Sequence, residues 1–243
     1  GQPLITLARP SADVLVCPPL LAGAIVVLDP ANATITAGDI ETFLGPTNVT
    51  QPTAAQRATL VAADASFANK PSARFVGDST ARKVYDFTFG SLTQGEIFAV
   101  LKDEYGIGAS HPTIAHTGLW QMNIHTAPVT HYPYSNGRIY DSFGHDARFD
   151  FDASAFALRT AHIYNIRCSA AGHVTTINGV TADTRATWAI SWPSAVRFGA
   201  SATEAVAFNG WMAALVVCNQ VQSAPARAEM LTYLATRFGI TLP

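Results

Sequence analysis

The sequence has few charged residues. Of its 243 residues only 13% are Asp, Glu, Lys or Arg, and the formal net charge is −2. Domains that bind nucleic acid through its phosphates usually carry a clustered basic surface, and this composition offers no such excess. We therefore expect no nucleic-acid partner, and a surface that relies on Ser, Thr, Asn and Gln where other proteins use charge.

Long apolar runs are also missing. The most apolar stretch, residues 15–28, is interrupted by Pro18 and Pro19 and ends before Asp29. No run reaches the ~20 residues of a transmembrane helix, so we expect no membrane span. The first residues, Gly1, Gln2 and Pro3, lack the basic segment that opens a secretory signal, and we expect no signal peptide.

Neither the cysteines nor the histidines are spaced like metal ligands. The 3 cysteines are too far apart, and the five histidines between positions 111 and 145 are separated by five, nine, six and fourteen residues. We predict buried thiols, histidines that hydrogen-bond to the backbone, and no cofactor. A calcium site on loops that carry Asp29, Asp39 and Asp141 stays open. The residues concerned are Cys17, Cys168, Cys218, His111, His116, His125, His131 and His145.

The C-terminal stretch gives the clearest structural signal. Residues 211–217 are almost continuously apolar and β-branched at their end, which predicts a buried strand. A helix should follow, with Ser223 or Ala224 as its cap, Pro225 in its first turn and Gly239 at its end. Its apolar stripe consists of Met230, Leu231, Leu234 and Phe238.

This ending resembles that of concanavalin A-like, laminin-G-like jelly-roll domains, which are common in tailed-phage structural proteins and bacterial surface proteins. Ala214 stands where that family usually has Glu. Earlier segments resemble the family's strands in order, including residues 23–30, 70–78, 95–102, 172–179 and 196–199. The matching C-terminal positions are Gly210, Trp211, Met212, Leu215, Asn219, Tyr233, Leu234, Arg237, Phe238 and Gly239.

The resemblance covers roughly residues 22–240 and implies an all-β fold. We expect a two-sheet antiparallel jelly-roll sandwich over residues 22–243, with a short C-terminal α-helix. Residues 1–21 precede it and contain four prolines, which exclude a helix and predict an extended arm. The arm either contacts a neighbouring subunit or packs as a strap on its own domain. Its apolar residues are Leu4, Ile5, Leu7, Val14, Leu15 and Val16.

Acid pairs typical of catalysis are not evident. Glycosidases of this fold carry acids two residues apart on one strand, so that both side chains enter one cleft. Asp150 and Asp152 have that spacing but lack a third acid nearby. Residue types used by polysaccharide lyases occur, without the lyase strand motifs, at Gln121, His125, Arg138 and Tyr140. We therefore expect a protein that is not an enzyme.

One stretch interleaves aromatic and polar side chains more densely than any other. Sugars present C–H faces that pack on aromatic rings and hydroxyls that need donors and acceptors. The stretch is therefore our candidate glycan site, although its tyrosines could instead line the sandwich or a subunit interface. The candidate residues are Trp120, His131, Tyr132, Tyr134, Asn136, Arg138, Tyr140 and Asp141.

The family resemblance implies a non-enzymatic structural protein of the virion surface: a capsid decoration, head fibre or attachment protein. Its expected partners are other virion subunits or further copies of itself, and possibly a cell-surface glycan. The alternative is an extracellular or cell-surface protein, either a secreted carbohydrate-binding module or a polysaccharide-degrading enzyme on the same fold.

Overall fold

The computed structural model describes residues 23–77, 82–88, 90–105, 118–122, 130–145, 147–192, 195–200 and 206–243. The predicted arm, with Leu4, Ile5, Leu7, Val14, Leu15 and Val16, lies outside these residues. So do Cys17, His111, His116 and His125.

Antiparallel strands are the main secondary structure of the described chain, as the sequence predicts. They are β1 Ala24–Leu28, β2 Ala33–Thr36, β3 Asp39–Phe43, β4 Val49–Thr50, β5 Thr59–Asp64, β6 Lys70–Phe75, β7 Tyr85–Thr88, β8 Gly95–Asp103, β9 Trp120–Gln121, β10 Arg138–Asp141, β11 Phe149–Asp152, β12 His162–Ser169, β13 Gly172–Ile177, β14 Val180–Arg185, β15 Ala195–Phe198 and β16 Gly210–Cys218. One α-helix, α1 Ala224–Phe238, follows them.

The strands form two layers, which confirms the predicted β-sandwich. An 11-stranded sheet runs in the order β14-β13-β12-β8-β16-β6-β5-β3-β2, with β1 also paired to β16 and β4 to β3. The facing layer contains a three-stranded sheet, β7-β15-β9, and the two-stranded hairpin β10-β11. Aromatic side chains, including Trp120, Tyr164 and Phe198, fill the space between the layers.

The last strand lies at the centre of the large sheet. β16 pairs with β8 along one edge, and with β6 and then β1 along the other. A bulge at Ala213 separates the two halves of its pairing with β8. Every residue of β16 except Trp211 is buried, because the inter-sheet core covers one face and α1 the other. The apolar run in the sequence reflects this two-sided burial.

Helix α1 begins and ends where the sequence predicts. The Ser223 hydroxyl accepts a hydrogen bond from the Ala226 N–H at 3.3 Å, and Gly239 ends the helix at a φ of 65°. Of the predicted stripe, Met230, Leu234 and Phe238 are buried against the large sheet, whereas Leu231 is only half-buried at the side of this cluster. Within the described residues, no helix is both long and apolar enough to cross a membrane.

An ion pair that the sequence did not reveal joins α1 to the large sheet. Glu96 on β8 is fully buried and accepts hydrogen bonds from Arg227 Nε at 2.6 Å and Arg227 Nη2 at 3.2 Å. Asn165 Nδ2 at 3.0 Å and the Gln222 N–H at 2.7 Å complete its shell. Four donors thus compensate the buried carboxylate, and the first turn of the helix is fixed over β8.

Two local features of the fold involve single residues or residue pairs. Asn178 and Gly179 connect β13 to β14 with φ values of 51° and 82°, the left-handed pair that a tight hairpin turn requires. The Cys168 and Cys218 side chains are both buried, as expected for structural thiols. Burial raises the pKa of Cys168 to about 12, so this thiol stays protonated.

Candidate ligand-binding surface

The β10-β11 hairpin positions most of the candidate glycan residues. Its register pairs Arg138 with Asp152 and Tyr140 with Asp150. Side chains alternate between the two faces of a strand, so these four side chains share one face. Ile139, Phe149 and Phe151 occupy the other face and are buried in the inter-sheet core. The apolar face fixes the hairpin on the sandwich, and the polar face is left at the surface.

Half of the candidate residues lie in the interior. The exposed fractions of Trp120, His131, Tyr132 and Asp141 are 0%, 2%, 0% and 1%. Such side chains do not present a surface to a ligand, so the direct glycan contact expected of these four is corrected to a supporting role. Their aromatic and polar composition reflects a buried hydrogen-bond network rather than an open surface.

Asp141 is the centre of that network. Its carboxylate accepts hydrogen bonds from Trp120 Nε1 at 3.0 Å, from Thr130 Oγ1 at 3.1 Å and from the Phe143 N–H at 2.8 Å. Burial raises the pKa of Asp141 to about 6, although these hydrogen bonds oppose the shift. A buried carboxyl with a raised pKa suggests acid–base chemistry, but here its oxygens serve to hold β9, residue 130 and β10 together.

A second buried pair lies beside it. The Tyr132 hydroxyl and His162 Nε2 are 2.7 Å apart, and the two rings are stacked. His162 Nδ1 lies 2.8 Å from the Thr160 carbonyl oxygen, so the Nδ1 position carries the proton and Nε2 accepts from Tyr132. Burial lowers the pKa of His162 to about 4, which keeps the ring neutral.

The other four candidates are accessible and lie side by side. Tyr134, Arg138 and Tyr140 are half-buried, and Asn136 is exposed. The rings of Tyr134 and Tyr140 meet edge to face with centroids 5.5 Å apart, and Asn136 Nδ2 donates to the Tyr140 hydroxyl at 2.8 Å. We call this group, together with Arg148, the Tyr134–Tyr140 surface.

Arg148 belongs to this surface although it was not among the candidates. It is exposed, and its guanidinium carbon lies 4.9 Å from the centre of the Tyr140 ring. The signal that could have found it is alternation: Arg148 precedes Asp150 by two residues, so it shares the outward face of the hairpin with Tyr140.

The charges of the surface are largely balanced. Arg138 forms an ion pair with Asp150, and both side chains are 39% exposed. The hydrogen bond to Asp150 raises the pKa of Arg138. The Ser154 N–H donates to Asp152 at 2.8 Å and lowers the pKa of that carboxyl. The two acids with a glycosidase-like spacing therefore both have structural partners.

The described residues hold no group of three or more His, Cys, Asp or Glu side chains arranged to bind a metal ion. The three acids considered as calcium ligands each have a different structural partner or environment. Asp29 accepts from the Ala31 N–H at 2.9 Å, Asp39 accepts from Thr59 Oγ1 at 2.8 Å, and Asp141 is buried as described above. The structure does not bring these three together.

Comparison with known proteins gives a fold but no family. Neither a scan against protein-family models nor a search of curated proteins found a match. Among solved structures, the chain is similar to an arabinofuranosidase complexed with arabinofuranosyl-alpha-1,2-xylobiose, with a TM-score of 0.59, 11% identity, and coverage of 82% of this chain and 51% of that one.

Two other solved structures are similar in the same way. The binding domain of botulinum neurotoxin DC, in complex with rat synaptotagmin II, has a TM-score of 0.54, 10% identity, and coverage of 87% and 52%. A Trypanosoma rangeli sialidase in complex with 2,3-difluorosialic acid has a TM-score of 0.54, 12% identity, and coverage of 98% and 36%. The chain thus spans about half or less of each neighbour. At these identities the likeness establishes the sandwich fold alone.

Proposed function

We propose that this chain is a non-catalytic glycan-binding module of the concanavalin A-like jelly-roll type, and that it binds saccharide at the Tyr134–Tyr140 surface. The observation that carries the proposal is the juxtaposition of two accessible rings, 5.5 Å apart, with the Asn136 amide and the Arg138 and Arg148 guanidinium groups. The rings suit the C–H face of a sugar, and the amide and guanidinium groups suit its hydroxyls.

The positions of the acids favour binding over turnover. A retaining or inverting glycosidase needs one carboxyl that stays protonated and one that is ionised, on either side of a shared cleft. Asp150 is paired with Arg138, and the pKa of Asp152 is lowered. Asp141, with its raised pKa, lies beneath the surface with an exposed fraction of 1%. Among the described residues, this surface lacks an accessible general acid.

We also propose a location and partners for the protein. It lies on the surface of a virion, where its subunits assemble with one another or with other virion proteins. The order of family-like segments along the sequence supports it, since such segments are common in tailed-phage structural proteins. Capsid or tail genes on either side of the gene, and a particle or oligomer that co-purifies with the chain, would support this setting. A lone monomer encoded among polysaccharide-processing genes would contradict it.

The binding proposal is tested on a glycan array with the full chain, the double variant Tyr134→Ala/Arg138→Ala and a matched control, Tyr233→Ala/Arg159→Ala. The control removes a half-exposed Tyr from α1 and an exposed Arg after β11, both outside the hairpin. We expect the wild type and the control to bind the same glycans. The double variant should lose about tenfold or more in affinity, because it removes a stacking ring and a charged donor.

Circular dichroism and thermal melting establish that each variant is folded before it is compared. Unchanged binding by a folded double variant would remove this surface as the site. Mass spectrometry of each bound oligosaccharide after incubation tests for turnover. Cleavage of the oligosaccharide by the protein would contradict the non-catalytic assignment.

A further inference from the structure

A cavity of about 240 Å³ lies at the end of the large sheet where β12, β13 and β14 meet the segment before α1. It is on the helix-bearing face, because Ile166 and Cys168, which flank Arg167, point the other way into the inter-sheet core. It shares no residue with the Tyr134–Tyr140 surface. The side chains used in the following argument are Arg167, Ser169, Ala171, Thr184, Ala186 and Val221.

Arg167 is the unusual member of the cavity lining. It is half-buried, yet within the described residues its guanidinium makes no hydrogen bond and no ion pair. Glu96 lies opposite Arg167 in the strand register, but its carboxylate is already bound by two nitrogens of Arg227. Arg185, at the rim, is likewise engaged, by Asp183 at 2.9 Å and by the Asp150 carbonyl oxygen at 3.1 Å.

The cavity therefore carries a positive charge that no carboxylate of the described residues compensates. Arg167 and Arg227 both lie near Glu96, but the Glu96 carboxylate pairs with Arg227 alone. Burial lowers the pKa of Arg167, and repulsion from Arg227 adds to this shift, which indicates a cation that has lost water without gaining a full partner. An anion bound in the cavity would supply that partner.

The rest of the lining indicates which kind of molecule would carry the anionic group. Ser169 Oγ accepts from the Ala171 N–H at 3.2 Å, which leaves its O–H able to donate, and the Thr184 hydroxyl is exposed at the rim. Ala171, Ala186 and Val221 provide apolar wall. The volume exceeds the need of a bare carboxylate, and the mixture of hydroxyls and apolar wall suits a polyhydroxylated ring.

We propose that this cavity is a second binding site, which takes a carboxylate-bearing molecule of about monosaccharide size, such as a uronic acid, with its carboxylate on Arg167. A planar guanidinium with unused donors matches a carboxylate through two parallel hydrogen bonds. The site is independent of the Tyr134–Tyr140 surface, and neither requires the other.

The test is isothermal titration of the full chain with sodium glucuronate, with glucose and inorganic phosphate as comparison ligands. We expect saturable binding of glucuronate and none of glucose. Arg167→Gln should weaken glucuronate binding by about tenfold or more, since it removes the charge-assisted pair. The control Arg159→Gln removes an exposed arginine outside the cavity and should bind like the wild type.

A second variant avoids any change to the half-buried arginine. Thr184→Glu places a carboxylate at the rim of the cavity, where it should pair with Arg167 and abolish glucuronate binding. Thr181→Glu, at an exposed position of the same strand, should not. Equal binding by wild type and a folded Arg167→Gln, or no saturable glucuronate binding at all, would overturn the proposal. Binding of phosphate in place of glucuronate would overturn the assignment to carboxylate.

Discussion

Replacing Arg227 by Met tests how α1 is held on the sheet. The change keeps an apolar stem of similar length and removes the guanidinium. Glu96, which is fully buried, would lose its bonds to Nε at 2.6 Å and Nη2 at 3.2 Å and keep those from Asn165 and the Gln222 N–H. The Gln222 carbonyl oxygen would also lose a donor at 2.6 Å.

The expected loss follows from desolvation. Breaking a buried pair by removing one partner leaves a charge without compensation and costs about 3–5 kcal/mol. A domain of this kind has a free energy of unfolding of about 5–15 kcal/mol, so the loss is a large part of the total. Replacing both partners, as in Glu96→Leu/Arg227→Met, removes the buried charge with its counterion and should cost much less than Arg227→Met alone.

Urea unfolding followed by circular dichroism measures both variants and the Glu96→Leu single variant, which completes a double-mutant cycle. Arg167 lies opposite Glu96 in the register and could replace Arg227 as its partner, so the cycle is repeated in an Arg167→Gln background. A loss below about 1 kcal/mol for Arg227→Met in that background would refute the reasoning, because it would mean that water reaches Glu96.

Three other outcomes follow from the structure. Burial lowers the pKa of both His162 and His173 to about 4, so each stabilises the fold fully above its ordinary pKa of 6.5 and loses that contribution as the pH falls toward 4. Asp141, whose pKa is raised to about 6 from 3.8, acts in the opposite sense, and the two histidines outweigh it. The free energy of unfolding should drop by on the order of 2 kcal/mol from pH 7 to pH 5, and His162→Gln should reduce the drop; equal urea midpoints at the two pH values would contradict this. Truncation before Ser223 removes Met230, Leu234 and Phe238 from the outer face of the sheet, each worth ~1.5–3 kcal/mol, and should give an insoluble or molten protein; a melting curve like that of the full chain would show that α1 is dispensable. Deletion of residues 1–21 should leave a folded monomer that no longer assembles, as judged by light scattering; unfolding of the deletion variant would instead make those residues part of the sandwich.

The elements that the sequence predicted well are those whose signals are local. β16 is buried on both faces and reads as a continuous apolar run, and α1 carries its cap, its proline and its terminal glycine within the segment itself. Asn178 and Gly179 likewise specify their turn by themselves. In each case the residues that determine the structure are neighbours in the sequence, so one sequence is enough to find them.

The interactions that could not be predicted from the sequence join segments that are distant in the chain. Glu96 and Arg227 are 131 residues apart, and nothing near either residue marks it as a partner of the other. The Arg167 cavity depends on three strands and on Val221 meeting at one end of the sheet. Such arrangements depend on strand order and register. β8 pairs with β12 and β16, which come much later in the chain, and the sequence alone does not specify which distant strands become neighbours.

Four of the candidate glycan residues are buried and four are accessible. This difference shows which side-chain orientations a local sequence pattern can predict and which it cannot. Arg138 and Tyr140 alternate with Ile139 and Asp141, and Ile139 marks the inward face, so alternation alone places Asp141 inside. No comparable rule exists for Trp120 or Tyr132, because an aromatic ring suits a buried core and a sugar-binding surface equally well. What excludes them is the facing layer, since the ring of Tyr164 on β12 lies 5.5 Å from Trp120 and 4.8 Å from Tyr132. Density of aromatic and polar residues therefore locates a site to within a hairpin, and only the packing of the opposite sheet determines which of its residues a ligand can reach.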